Sequence, residues 1–251
     1  MWTVAYANNY NDQKVEIWGR NPDCDSGSLP ETLWNPGGLY VWQTAAESLE
    51  LVSNSAADAA AGTGARTVMV TGLDSTYAHI QETVTMDGVT PVALVNSYLR
   101  VNSTIVVTAG SDGRNAGTIT LRVPGPGATR DSISLIGTTG LSIGQTGRYT
   151  VPAGQILICT FCLTLAESAS TNDAITSSIL TRLNTVANSP WVAITVLGGS
   201  ATGTSIHNLD MSARYLKFVE KTDIEFRALS CVGTNLVSQI RLSGFLLTVR
   251  P

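Results

Sequence analysis

Charge is scarce in this chain: Asp, Glu, Lys and Arg together make up 14% of its 251 residues, and there are two histidines. About a quarter of an average soluble chain is charged, so this surface is expected to be neutral and hydroxyl-bearing, with Thr and Ser where Lys and Glu would otherwise stand. The formal net charge of -4 excludes a phosphate-binding groove of the usual kind, since affinity for nucleic acid rests on Lys and Arg neutralising phosphates. Apolar runs such as residues 156–163 are too short to cross a bilayer, so no membrane partner is expected. The first ten residues show neither the basic stretch nor the sustained apolar stretch of a signal peptide, which argues against export by the general route.

Helical periodicity is also missing. The best helix candidates are residues 45–48 and the alanine-rich run 55–61, which Gly62 and Gly64 cut to a single turn at most. No heptad and no repeating β period occurs, which argues against a fibre stalk.

Catalytic constellations are equally thin. A serine hydrolase needs His beside Ser and an acid, yet His79 and His207 lie in no nucleophile elbow and there is no GxSxG. The acids are scattered, apart from the group Asp23, Asp25 and Glu31 in what reads as a loop. Its D-x-D spacing before Gly27 resembles the start of a calcium loop but lacks the later glutamate of an EF-hand. Gly125-Pro126-Gly127 opens no helix, so it is not a dinucleotide fingerprint. Four cysteines include a CxxC, Cys159 and Cys162, inside an apolar β-branched run, where positions i and i+3 of a regular strand face opposite ways. Cys24 and Cys231 are solitary. All four are read as buried thiols. No enzyme activity, cofactor or metal is expected.

What the chain does contain is strand. In residues 64–91, Val68 and Val70 alternate with Thr67, Met69 and Thr71, and Ile80, Val84 and Met86 alternate with Gln81, Thr83 and Thr85. That is the period of two of strands with one buried face. Similar segments are expected near 13–18, 39–43, 48–53, 98–108, 116–123, 155–165, 176–183, 191–197, 214–219, 223–230 and 235–249, bounded by Gly, Asn, Asp, Ser or Pro. The fold class is therefore all-β, an antiparallel, jelly-roll-like β-sandwich. Its expected organisation is an extended N-terminal arm (1–43), a first sandwich (44–123), a linker or crossover opened by Pro124-Gly125-Pro126-Gly127 (124–147), and a second sandwich (148–251). Residues 214–249 read as a three-stranded meander, with a bulge at Ser243-Gly244 that switches the buried face.

Tryptophan numbers five, and Trp18, Trp34 and Trp42 gather with Tyr40 in the first fifth of the chain. Two uses compete for these rings. They can stack on sugars, as in a lectin that binds a host glycan, or they can anchor the arm against a neighbouring subunit, which aromatics favour. Anchoring is the preferred reading, and Trp18, Trp34, Tyr40 and Trp42 form the candidate interface.

The succession Leu29-Pro30-Glu31-Thr32-Leu33-Trp34, Gly62-Thr63-Gly64-Ala65-Arg66-Thr67-Val68, Thr71-Gly72-Leu73-Asp74, Glu82-Thr83-Val84-Thr85-Met86-Asp87-Gly88, Leu99-Arg100-Val101-Asn102 and Asn115-Ala116-Gly117-Thr118-Ile119 resembles the β-rich structural proteins of tailed-bacteriophage virions. Tyr149-Thr150-Val151-Pro152-Ala153-Gly154 and residues 220–228 are similar to the same group. The resemblance implies a non-enzymatic virion component assembled in the host cytoplasm, with other capsid or tail proteins as partners and a homo-oligomer, a trimer, as its state. Within that group a capsid decoration or cement protein is preferred over a tail adaptor or fibre component.

Overall fold

In a computed structural model, which describes residues 13–210 and 215–248, the chain is all-β with antiparallel pairing. Among the described residues there is no helix. The strands in chain order begin with β1 (Gln13–Cys24) and β2 (Glu31–Thr32). Next come β3 (Glu47–Ser53), β4 (Ala65–Leu73), β5 (His79–Thr85), β6 (Val92–Tyr98), β7 (Arg100–Ala109), β8 (Ile119–Arg122), β9 (Thr129–Ile133), β10 (Leu135–Ile136) and β11 (Thr139–Gly140). The last six are β12 (Arg148–Thr150), β13 (Gln155–Leu183), β14 (Val192–Asp210), β15 (Leu216–Phe218), β16 (Thr222–Val232) and β17 (Leu236–Thr248). They divide into two compact units, one of residues 42–145 and one that joins residues 13–41 to the chain from 146 onward.

The first unit is a sandwich of a four-stranded sheet, β6-β3-β8-β9, and a three-stranded sheet, β5-β4-β7. Its core is the set the alternation picks out: Val68, Val70, Val84 and Met86 pack with Leu49, Leu51, Tyr98, Val101, Ile119, Leu121 and Ile133. Thr67, Thr71, Thr83 and Thr85 stand on the opposite face, and Thr67 bonds Thr108 through their hydroxyls at 2.6 Å. Pro124-Gly125-Pro126-Gly127 is no linker. It makes the turn of the β8–β9 hairpin, closed by the Val123 and Gly127 N–H groups, and Gly125 takes the left-handed φ of +79° that favours glycine. The alanine run 55–61 forms turns instead of a helix because Asp58, fully buried among them, turns its carboxylate to distant backbone.

The second unit is built from one sheet in the order β1-β17-β13-β16-β12, with β14 and β15 added to β13 and β2 to β16. Its core residues all come from this sheet or the short segments joining its strands, including Ile17, Leu33, Leu157, Ile179, Phe226 and Ile240. The two ends of the sheet meet: Gly19 of β1 bridges Thr146, and the Gly147 N–H donates to Trp18 at 3.1 Å. A sheet that encloses its own core needs a corner. β13 supplies it, since its register with β14 slips between Ser168 and Asp173, and its partner on the other edge changes from β17 (up to Glu167) to β16 (from Ala174).

Two expectations are corrected here. β16 and β17 do not form a meander, because they lie end to end along the same edge of β13 and are joined by the turn at 233–235. Nor does an N-terminal arm extend away over the described residues 13–41. β1 pairs with β17 along its length, Val15 and Ile17 enter the core, and β2 pairs with β16. Prolines and loop residues in 22–38 gave this segment an irregular pattern, but Leu33 is seated by its N–H to Phe226 at 2.7 Å in a gap that exists because Gly19 and Gly147 lack side chains. A Cβ on Gly19 would stand 2.5 Å from the Leu33 carbonyl and one on Gly147 2.0 Å from it.

The bulge on the β13–β17 pair falls beside Ser243-Gly244, but the extra residue is Thr160 of β13. β17 therefore keeps its parity, and Phe245 and Leu247 remain on the outside. On β13 the extra residue turns Cys159 and Cys162 to the same side, and both are buried in the core.

Candidate interface and the charged layer of the second unit

One face of β16 carries Ile224, Phe226 and Ala228 into the core. The other carries Asp223, Glu225 and Arg227, and the two acids are fully buried. Residues directly opposite in an antiparallel pair share a face, so the register assembles rows across the sheet. Asp223 lies between Arg182 of β13 and Thr150 of β12, Glu225 faces Arg148 of β12, and Arg227 faces Thr32 of β2.

These rows are bonded. Asp223 accepts from the Thr150 hydroxyl and from the Arg182 guanidinium, both at 2.6 Å. Glu225 accepts from the Thr32 hydroxyl at 2.6 Å and takes both Nε and an NH2 of Arg227, at 2.8 and 2.9 Å. Breaking one partner of a pair like this leaves an uncompensated charge, which costs about 3–5 kcal/mol where burial is complete.

Aromatic rings lie against the arginines of this layer. Arg148, 1% exposed, stacks on Tyr40 at 3.7 Å and on Trp34 at 5.0 Å, and donates to the Thr146 carbonyl. Trp34 and Tyr40 meet edge to face at 5.1 Å, and the Trp34 indole N–H donates to the Gly37 carbonyl at 2.7 Å. Trp191 lies between two guanidinium groups, those of Arg182 at 4.7 Å and Arg227 at 4.8 Å. Such contacts strengthen as water is excluded.

The four residues expected to form one interface thus separate. Trp34 and Tyr40 are buried together over Arg148. Trp18 is half-buried on β1, opposite Arg241 in register. Trp42 belongs to the first unit, where Arg100 packs over its ring at 5.0 Å and over Tyr77 at 5.7 Å. Trp191 and the arginines were not among the expected residues. Alternation of Asp223, Glu225 and Arg227 with Ile224 and Phe226 is the one sequence signal that marks the layer, since it places three charges on one strand face.

The remaining candidates are occupied structurally. Glu31 accepts from Asn21 and Ser28, and Asp25 accepts the Asn235 N–H at 2.8 Å. Among the described residues no group of His, Cys, Asp and Glu could hold a metal. His79 opens β5 on the solvent side, and partial desolvation lowers its pKa. His207 lies on β14 opposite Thr164, and its side chain is outside the described residues. None of the four cysteines is in a disulfide; three are buried and Cys231 is half-buried, its thiol 3.9 Å from the Cys24 carbonyl. Burial pushes the thiols of Cys24 and Cys159 up to about 12 and that of Cys162 to about 11. Thiols held this far above neutrality are poor nucleophiles and poor metal ligands.

No protein-family model matches the chain, and no curated protein matches it. Among solved structures, a chain in the structure of infectious bursal disease virus, Gx strain, aligns with 11% identity over 94% of this chain and 72% of that one, at a TM-score of 0.25. A chain of T=1 particles derived from infectious bursal virus aligns with 10% identity over 93% of this chain and 73% of that one, at 0.23. At such scores no shared fold follows.

Proposed function

We propose that this chain is a non-enzymatic structural protein of a virus particle, and within that class a capsid decoration or cement protein of a tailed bacteriophage. The observation that carries the reading is how buried acids are used. Glu31, Glu50, Asp58, Asp131, Asp223 and Glu225 are each engaged by hydroxyls, guanidinium groups, a side-chain amide or backbone N–H groups of the same unit. Carboxylates committed to cross-strand bonds hold a wall together and are not positioned to move protons for a substrate. The neutral, Thr-rich strand faces and the resemblance to virion proteins support the same conclusion. Other capsid or tail subunits are the partners, assembly takes place in the host cytoplasm, and the copies form a homo-oligomer, a trimer by the resemblance. Half-buried Trp18 is the member of the candidate interface offered to a partner, because Trp34 and Tyr40 spend their rings on Arg148 and Trp42 its ring on Arg100.

The test is mass spectrometry of gradient-purified particles from the phage that encodes the chain, with gold-labelled antibody to locate it. Stoichiometric amounts on the head are expected. Absence from the particle would overturn the structural reading, and labelling at the tail would replace decoration by an adaptor or fibre role.

A further inference from the structure

Each exposed sheet edge is a row of unpaired N–H and C=O groups that can capture another chain, and proteins blunt such edges with charge, proline or a covering group. This molecule blunts two of its edges and, among the described residues, leaves a third open. β1, the outer strand beyond β17, carries Lys14, Glu16, Arg20, Pro22 and Asp23. In the first unit the edge of β6 is capped from β5: the Glu82 carboxylate accepts the Val95 N–H at 2.9 Å and the Asn96 N–H at 3.2 Å. β14 is different. It is 19 residues long, among the described residues pairs with β13 alone, and from Val192 to Leu209 contains no Lys, Arg, Asp, Glu or Pro. Val192, Ile194, Val196 and Ile206 are exposed on it, Ile194 as the extra residue of a bulge against Ile179 and Leu180 of β13.

We propose that β14 is a homotypic interface, at which a second copy of this chain adds its own β14 antiparallel about a two-fold axis through Ser200. Three observations select a second copy as the occupant. An uncharged edge is complementary to itself, with no like charges to bring together. The register slip on β13 lies opposite Ala201–Gly203, close to the middle of β14, so a two-fold near Ser200 brings the bends of both copies close together. That axis sets Ile194 opposite Ile206 of the second copy, twice, and Val196 opposite Thr204, so exposed residues meet across it. At about 3.3 Å per residue and about 10 Å of sheet thickness, a strand of this length buries roughly 1,200 Å² in total, above the roughly 1,000 Å² a specific interface needs. This inference stands whether or not the chain belongs to a virus particle, and it gives a dimer where the resemblance implies a trimer.

The test is light scattering after gel filtration on the full chain, at up to roughly 100 μM so that weak association is seen. A dimer is expected for the wild type and for Val95→Lys, an exposed position on the first unit, and a monomer with unchanged circular dichroism for the double variant Ile194→Lys/Ile206→Lys. Should the double variant fail to fold, Ser200→Cys in a Cys231→Ser background reads the same contact: with a mild oxidant it should give a reducible covalent dimer that Cys231→Ser alone does not. A wild-type monomer would overturn the proposal and leave the edge to a strand of some other protein. A trimer, or a dimer that tolerates both lysines and fails to cross-link at position 200, would overturn it as well.

Discussion

In the unit of residues 42–145, the most deeply buried acid, Asp58, is held by backbone. Asp58 accepts the N–H groups of Ala65, Ala116 and Gly117 at 2.7–2.9 Å and the Ser53 hydroxyl at 2.6 Å, and so ties a loop to two distant segments. In the other unit, the most deeply buried acids are held by opposite charge, in the rows of Asp223 with Arg182 and Glu225 with Arg227. A carboxylate that collects backbone donors fixes where loops run. A layer of ion pairs under aromatic rings fixes register between strands, since a one-residue slip would carry every charge of β16 into the apolar core. The first unit, with two packed sheets, needs its loops placed; the second, a single sheet bent round its core, needs its register fixed.

The comparison breaks most visibly at the core of the second unit. Phe226→Ala, at a fully buried position beside Gly19, is expected to cost about 3–5 kcal/mol in denaturant unfolding. Glu225→Ala strands Arg227 and should cost about 3 kcal/mol, whereas Glu225→Gln keeps the shape and loses less. Asp58→Ala leaves three N–H groups without their acceptor, for about 2–3 kcal/mol. If Asp58→Asn cost as much as Asp58→Ala, the claim that this carboxylate serves as a backbone acceptor would fail.

A smaller effect separates buried from exposed pairs. Burial opposes ionisation of Glu16, but its bonds to Lys14 and Arg241 outweigh that and hold its pKa below the ordinary 4.5. The unfolded chain then takes the proton first, so the contribution of Glu16 is complete above about 4.5 and is lost as pH falls through the lower folded value. A carboxyl NMR titration should show a low midpoint that rises in Arg241→Gln. Because Arg241 is half-exposed, stability should change by less than about 1 kcal/mol. The mildest probe is a thiol reagent at pH 8, which should label half-buried Cys231 in the folded chain and reach Cys24, Cys159 and Cys162 only on unfolding.

Much of the fold was legible from local pattern. β4, β5, β16 and the part of β17 before Ser243 fall where alternation placed them, because one face of each meets a core and the other does not. β6 was missed since Asn96 and Ser97 interrupt its apolar run, and the Glu82 carboxylate that steadies it comes from another strand. Of the candidate interface, the aromatic types were legible but not their assignment. Trp34 and Trp42 are eight positions apart in the sequence and belong to different units, each against its own arginine.

The sequence by itself determined an all-β chain, neutral surfaces rich in Thr, and the core faces of most strands, because strand period and side-chain polarity are local properties. Only the tertiary structure decided that residues 13–41 complete the second unit, that Pro124–Gly127 is a hairpin turn, that Cys159 and Cys162 share a face, and that β16 and β17 share one edge of β13. Each of these depends on which strand lies opposite, and in antiparallel sheets partner and register are set by contacts between segments far apart in the chain.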